Sequence, residues 1–413
     1  FFKVQRNPYR YVIHPLMSTI TIKPQVFRWL CATSGWTPDE ISVRIAEPVD
    51  RVQKWCEGNE SPSLSISNLE KLSESFKRPL TAFLLPSPPE DEVLPKDFRK
   101  IPEAKGDFSK DTLRMIRKAR RELLLWKELS ENIGESVTVD IPRYSIQDDP
   151  EIAALKERER LKISGVTKWK NEYGAYRFWR ELLSSLNILV LQLKMPREEA
   201  RGFSIVDKGY AAIVVNGRET PHARIFTLFH EYAHLLLDEI VICNDQSDAS
   251  SDPFIKSVEG WCNTFAGAFL IPKEECVEDK RVKKFLSEGD ILNASKVISS
   301  HFRVSRDAAL IRLRVMHLIS EKDLVNSQSI LQNSVNKLKI EKSPHNQDEP
   351  ASSQNNIVPV NPVNQCISEK GTSFVSLVLK NEAAGTITYQ DVMDYLDLKS
   401  KQIDKLRQRG LSD

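Results

Sequence analysis

Residues 229–238 read Phe-His-Glu-Tyr-Ala-His-Leu-Leu-Leu-Asp. On a helix, positions four apart lie one turn apart on the same face. His230 and His234 would therefore aim two imidazoles at one point, a spacing that suits a zinc ion about 2.0–2.1 Å from each nitrogen. Glu231 falls one position on, where its carboxylate reaches a metal-bound water without being a ligand. Zinc acidifies such a water, and Glu231 would take its proton as general base. The rival reading is a pair of core histidines. Against it, two histidines and a glutamate among Ile225, Leu228, Phe229, Leu235, Leu236 and Leu237 would be costly to bury without partners.

A catalytic zinc site needs a third protein ligand and one open position. The stretch 257–272, SVEGWCNTFAGAFLIP, offers the ligand. Asp252 can cap this helix, Pro253 fits its first turn and Pro272 ends it. Val258, Cys262, Phe265 and Phe269 mark a packed face, and Glu259 beside them is the candidate carboxylate. Asn263, one turn later, could orient that ligand. Cys262 reads as a small buried apolar residue. Tyr232, His222 and Arg224 are near enough in sequence to polarise a scissile carbonyl. Arg224 could equally pair with a carboxylate, and Tyr232 could be core.

These residues need a scaffold. Residues 149–272 read as a mixed α/β region. Tyr173–Leu186 is helical in pattern, LNILVLQLKM (186–195) is a strand run, and YAAIVVNG (210–217) is a second strand closed by Asn-Gly. Two helices follow, about Pro221–Asp238 and Pro253–Leu270, and 290–320 carries two more. Upstream, 108–132 is amphipathic, with Leu113, Ile116, Ala119, Leu123, Trp126 and Leu129 near one face, and reads as a bridge between domains. Residues 337–366 are rich in Ser, Asn, Pro and Gln and read as a disordered linker. Helical patterning resumes over about 368–410.

The N-terminal part predicts short helices over Pro24–Thr33, Pro38–Ala46, about Val49–Glu57, Ser65–Phe76 and Pro79–Leu84. Thr37 offers a cap, with Pro38 next and Glu40 three residues on. Gly58 is a natural stop. A tight helix–turn–helix in such a set suits DNA. Arg51, Gln53 and Lys54 lie on the expected recognition helix, with Arg suited to guanine, Gln to adenine and Lys to phosphate. Asp50, Glu47 and Glu57 nearby weaken the electrostatics, so a protein-interaction module stands as the alternative.

The totals set bounds. The 413 residues allow two or three domains. The net charge of +2 gives no whole-chain argument for nucleic acid. Six cysteines with no C-x-x-C pair read as reduced thiols in a cytoplasmic protein. No run approaches the roughly 20 apolar residues of a membrane span. Residues 1–16 interleave Arg and Lys with apolar residues and read as an upstream extension, with Met17 a plausible start. The expected organisation is 1–16 extension, 17–89 helix–turn–helix domain, 90–148 helical connector, 149–321 metallopeptidase domain, 322–367 linker and 368–413 a small helical segment.

The stretch RGFSIVDKGYAAIVVNGRETPHARIFTLFHEYAHLLL, followed by VEGWCNTFAGAFLIP, resembles the ImmA/IrrE family of metallopeptidase-like proteins. The resemblance covers about 150–320, including VSRDAALIRLRVMHLI. W-C-E-G-N-E-S-P-S (55–63) resembles the turn of an XRE-type helix–turn–helix, with Cys56 in place of the usual acid. FVSLVLKNEAAGTITYQDVMDYLDLK resembles the tail of longer fused members. The resemblance implies a mainly α protein with an α+β, zincin-like metallopeptidase domain and an all-α N-terminal domain. It implies Zn2+ held by His230, His234 and Glu259, with Glu231 as base. It also implies cleavage of a partner repressor, with DNA as the N-terminal partner. The alternative it carries is a non-proteolytic regulator or antitoxin beside a toxin, its metallopeptidase-like domain a sensor or partner-binding module. A scaffold without metal is a third reading. A homodimer is compatible with either of the first two.

Overall fold

The capping signal at Thr37 starts a helix where the sequence places it. The Thr37 hydroxyl accepts from the Glu40 amide, the Glu40 carboxylate accepts from the Thr37 amide, and Pro38 occupies the first turn. The structure is a computed structural model that describes residues 19–89, 108–135, 139, 141–163, 169–237, 242–243, 253–341 and 361–409. The expected extension at 1–16, the ends at Asp238 and Asp252, and the 342–360 part of the linker lie outside those residues. The chain divides into two compact units, 1–93 with 107–114, and 94–106 with 115–413.

The first unit runs β1 (Thr19–Thr21), α1 (Pro24–Ser34), α2 (Pro38–Ile45), α3 (Val49–Glu57), β2 (Ser63–Ser65), α4 (Ile66–Phe76) and a 3-10 turn at Leu80–Leu84. Its core is Val26, Phe27, Leu30, Ile41, Ile45, Val52, Trp55, Leu69, Leu72, Phe76 and Phe83. Ala46 in the left-handed region ends α2, and the chain turns through Glu47 and Pro48 into α3. The short β1–β2 pairing, Ile20 opposite Leu64, was not in the sequence reading. Both strands are three residues long, too short for an alternation to show.

The second unit contains most of α5 (Lys110–Asn132), then α6 (Pro150–Arg160), α7 (Glu172–Ser184), β3 (Ile188–Leu193), β4 (Gly202–Asp207), β5 (Tyr210–Asn216), α8 (Pro221–Leu237) and β6 (Ile242–Cys243). It continues with α9 (Pro253–Leu270), α10 (Lys273–Glu278), α11 (Lys280–Ser287), α12 (Ile291–Phe302), α13 (Arg306–Val315) and α14 (Glu321–Glu341). The tail adds α15 (Pro362–Lys370), α16 (Thr372–Ala383), α17 (Tyr389–Leu396) and α18 (Ser400–Arg407). The protein is mainly helical with a small sheet, ordered β3-β5-β4-β6; β3 is parallel to β5 and the other pairs are antiparallel. Helices α7, α8 and α9 share one apolar core with β3 and β5.

β5 ends at Asn216 ahead of Gly217, where the Asn-Gly signal closes it, and a tight hairpin at Lys208-Gly209 joins β4 to β5 with φ of 48° and 89°. Two successive positive φ values are the two-residue turn that matches strand twist. Asn216 is the last residue of β5 and is fully buried. Its amide donates to the carbonyls of Met195 and Ala200 and its oxygen accepts from the Met195 amide, bracing the loop before β4. The linker expected from 322 is shorter. Residues 321–341 form α14, because Leu324 and Leu331, seven apart, share a face that packs on the core despite the polar residues around them.

The tail is fastened to the sheet. The buried Arg180 of α7 donates to the carbonyl of Val190 on the edge strand β3, and to the carbonyls of Ile367, Ser368 and Glu369 at the end of α15. Gly371 has φ of +87°, and a Cβ there would lie 3.1 Å from the Arg180 guanidinium, so the tight approach needs glycine. Lys370 and Glu122, both buried, pair at 2.6 Å between α15 and α5.

Candidate metal centre

Helix α8 opens at Thr220, whose hydroxyl accepts from the Ala223 amide, with Pro221 following. Nearly all of the helix is buried, because its two sides face the sheet and α9. Aromatic rings set its position against α9. Phe229 stacks on Phe269 with centroids 4.3 Å apart, and Trp179 of α7 meets both rings edge-on. Arg158 of α6 holds the end of α9 through the Phe269 carbonyl, and the Trp261 indole donates to the Asp148 carbonyl.

That packing brings His230, His234 and Glu259 together. All three are buried, and their ligating atoms lie within 4.8 Å of one another. The His230 and His234 Nε2 atoms are 3.2 Å apart. Glu259 presents Oε2 at 3.2 Å from the first and Oε1 at 3.4 Å from the second. Ligands on a tetrahedral zinc with bonds of 2.0–2.1 Å are separated by about 3.3 Å. The donor set therefore fits such an ion in kind and in spacing.

The electrostatics agree with a cation site. Burial by itself would push the Glu259 carboxyl up, but hydrogen bonds to His230 and His234, and their charges, hold it well below the usual carboxylate range. Burial opposes charge on His230, yet its bond to Glu259, the nearby charges of Glu259 and Glu231, and a bond to Asn263 raise its proton affinity. Both groups favour a positive charge at the point they share.

Glu231 is fully buried on the same helix. Its carboxylate lies toward β4: a Cβ at Gly202 would sit 3.3 Å from Oε1, 2.4 Å from Thr227 Cγ2 and 2.8 Å from the Val214 carbonyl. Gly202 thus lets the strand close over the helix face that carries Glu231. Gly202 and Thr227 are not among the candidate site residues. The glycine ahead of Phe203 was the only available sign, and it becomes legible only once β4 is laid beside α8.

The other candidates are placed differently. Asn263 lies on α9 one turn after Glu259 and near enough to His230 to raise its proton affinity. Tyr232 lies two positions on from His230, about 200° around the helix. Its hydroxyl donates to Glu157 at 2.6 Å and accepts from Arg160 at 2.9 Å, on the far side from the imidazoles. Arg224 donates to Gln192 of β3 and lies over the Tyr176 ring, while Gln192 donates to Ser368 of the tail. His222, two turns before His230, is lowered in pKa by burial and feels the charges of Glu172 and Arg303. Cys262 is fully buried beside the site, where burial and the charges of Glu259 and Glu231 push its thiol up.

Residues 183–314 match the family model of the IrrE N-terminal-like domain. The match contains the three longer strands, α8 and α9, and hence all three donors. It supports a zincin-like metallopeptidase-type domain in the second unit. Comparison with curated proteins finds no match. Among the described residues no helix is long and apolar enough to cross a membrane.

In the first unit, Arg51, Gln53 and Lys54 are exposed on α3, and each has an acidic neighbour. Arg51 pairs with Glu47 at 3.4 Å, the Gln53 amide donates to Glu57 at 3.1 Å, and Lys54 pairs with Glu60 at 3.3 Å.

Proposed function

We propose that the second unit is a zinc-dependent endopeptidase that hydrolyses a peptide bond in a partner protein such as a repressor, and that the first unit is a DNA-binding module. The observation that carries the reading is the His230, His234 and Glu259 donor set at tetrahedral spacing, with Glu231 buried next to it. His230, His234 and Glu259 would hold the ion. Bound there, zinc would lower the pKa of a water and polarise a carbonyl. Glu231 would accept the proton that this water loses as it attacks, and pass it to the leaving amine. Asn263, one turn after Glu259, would help to orient the donors. Tyr232 is engaged by Glu157 and Arg160, and Arg224 by Gln192, so neither is assigned to the substrate carbonyl.

The DNA reading is supported by the α2–turn–α3 arrangement and by the exposed Arg51, Gln53 and Lys54. The protein would work in the cytoplasm, as its six unframed cysteines suggest.

A second reading is favoured by one feature. Glu231 and His234 are 0% exposed and Glu259 is 1% exposed. Donors so enclosed also suit a non-proteolytic regulator or antitoxin whose metal unit senses a ligand or grips a partner.

Elemental analysis of the purified protein, beside the His230→Ala/His234→Ala double variant, tests the shared foundation. We expect about one zinc per chain, lost in the variant. Glu231→Gln then separates the readings. It should keep the zinc and lower cleavage of the partner by roughly 10²–10⁴-fold. Unchanged cleavage would remove Glu231 from the mechanism. Full zinc with no cleavage of any candidate partner would favour the second reading.

A further inference from the structure

The first unit contains two cysteines, Cys31 in α1 and Cys56 in α3. Cys56 stands where the resembling motif carries an acid, and nothing proposed above uses it. The two helices pack directly. The Phe27 ring meets Trp55 edge-on with centroids 6.0 Å apart, one turn before Cys31 and one residue before Cys56. At the end of α3, a Cβ on Gly58 would lie 3.5 Å from Arg28 Cβ. Cys31 lies in the core at this seam and Cys56 packs against that core, near enough for each thiol to shift the other's proton affinity. Cys31 is buried and Cys56 is half-exposed.

We infer that Cys31 and Cys56 form an oxidisable pair, converted by a peroxide into a disulfide that ties α1 to α3. The two sulfurs differ in the way the chemistry needs. Burial pushes the Cys31 thiol far up, whereas the neighbouring Cys31 draws Cys56 down, against its own burial and the charge of Glu57. Cys56 is thus the accessible nucleophile and Cys31 the resolving thiol. Cys56 Sγ attacks a peroxide oxygen, the O–O bond breaks, and the first water leaves with the Cys56 proton. Cys31 Sγ then attacks the sulfenic sulfur. The S–O bond breaks and a second water leaves with the Cys31 proton. Two electrons pass from the two sulfurs to the peroxide, and one S–S bond remains. The bridge would fasten the helix bearing Arg51, Gln53 and Lys54 to its neighbour.

The test uses the full chain, reduced, freed of reductant, exposed to hydrogen peroxide at neutral pH, alkylated and mapped as peptides. The expected result is a linked pair of peptides holding Cys31 and Cys56, reversed by dithiothreitol. Two of the six thiols should be lost to alkylation. Cys56→Ser and Cys31→Ser should each abolish the link. Wild-type protein that alkylates at both positions after peroxide, takes Cys56 directly to sulfinic acid, or joins either cysteine to another partner would overturn the inference.

Discussion

One carbon added at Gly202 would enter the site from the sheet side. The new Cβ would stand 2.4 Å from Thr227 Cγ2 and 2.8 Å from the Val214 carbonyl, and the second neighbour is backbone that cannot swing aside. Gly202→Ala should therefore cost about 1–3 kcal/mol of stability, read from denaturant unfolding. It should also lower any Glu231-dependent activity beyond that loss of folded protein, because Oε1 lies 3.3 Å from the same point. Equal stability and equal activity would show that β4 yields freely. At this scale the ligands were legible, because i and i+4 on a helix is a local relation. The partners of Tyr232 and Arg224 were not. Glu157 is 75 positions from Tyr232, and Gln192 is 32 from Arg224. No local pattern links such pairs, and both side chains had looked like candidates for the substrate carbonyl.

Among the elements, the contact of α15 with α5 can be weighed by removing one charge or both. Lys370→Met leaves the Glu122 carboxylate buried without its main counter-ion and should cost about 3–5 kcal/mol. Changing Glu122 to Leu as well should recover most of that loss, since two apolar side chains need no partner. A double variant as unstable as the single one would mean that packing around Phe374, not charge, dominates this seam. Helices with strong start signals were legible in the sequence, α2 through Thr37 and Pro38 and α9 through Pro253. Helices α6, α10 and α11 were not. Residues 150–160 are mostly polar or charged, and the helix there is held by distant groups: Arg158 on the Phe269 carbonyl and on Glu275. β4 shows no apolar alternation in the sequence, because four of its six residues are buried in succession.

For the whole molecule, metal binding and folding of the second unit should be linked. Two histidines and two glutamates are buried on α8 and α9, and an ion that binds only the folded unit stabilises it by mass action. At free zinc 100-fold above Kd the gain is about 2.7 kcal/mol, or roughly 4 °C for a unit of this size. Stripping the protein with a chelator should lower the melting transition of the second unit by that order, and added zinc should restore it. A transition indifferent to both would remove the metal from the structure's energetics.

Arg180 has a consequence for how the chain tolerates being cut. Its guanidinium reaches the carbonyls of Ile367, Ser368 and Glu369, and Lys370 pairs with Glu122 just beyond. The tail from Asn361 onward is thus bound by its own contacts as well as by covalent continuity. A protease that severed the backbone between Glu341 and Asn361 would leave two fragments migrating separately on a denaturing gel yet eluting as one particle from a sizing column. Expressed apart, the same two pieces should find each other and behave as a subunit and its partner.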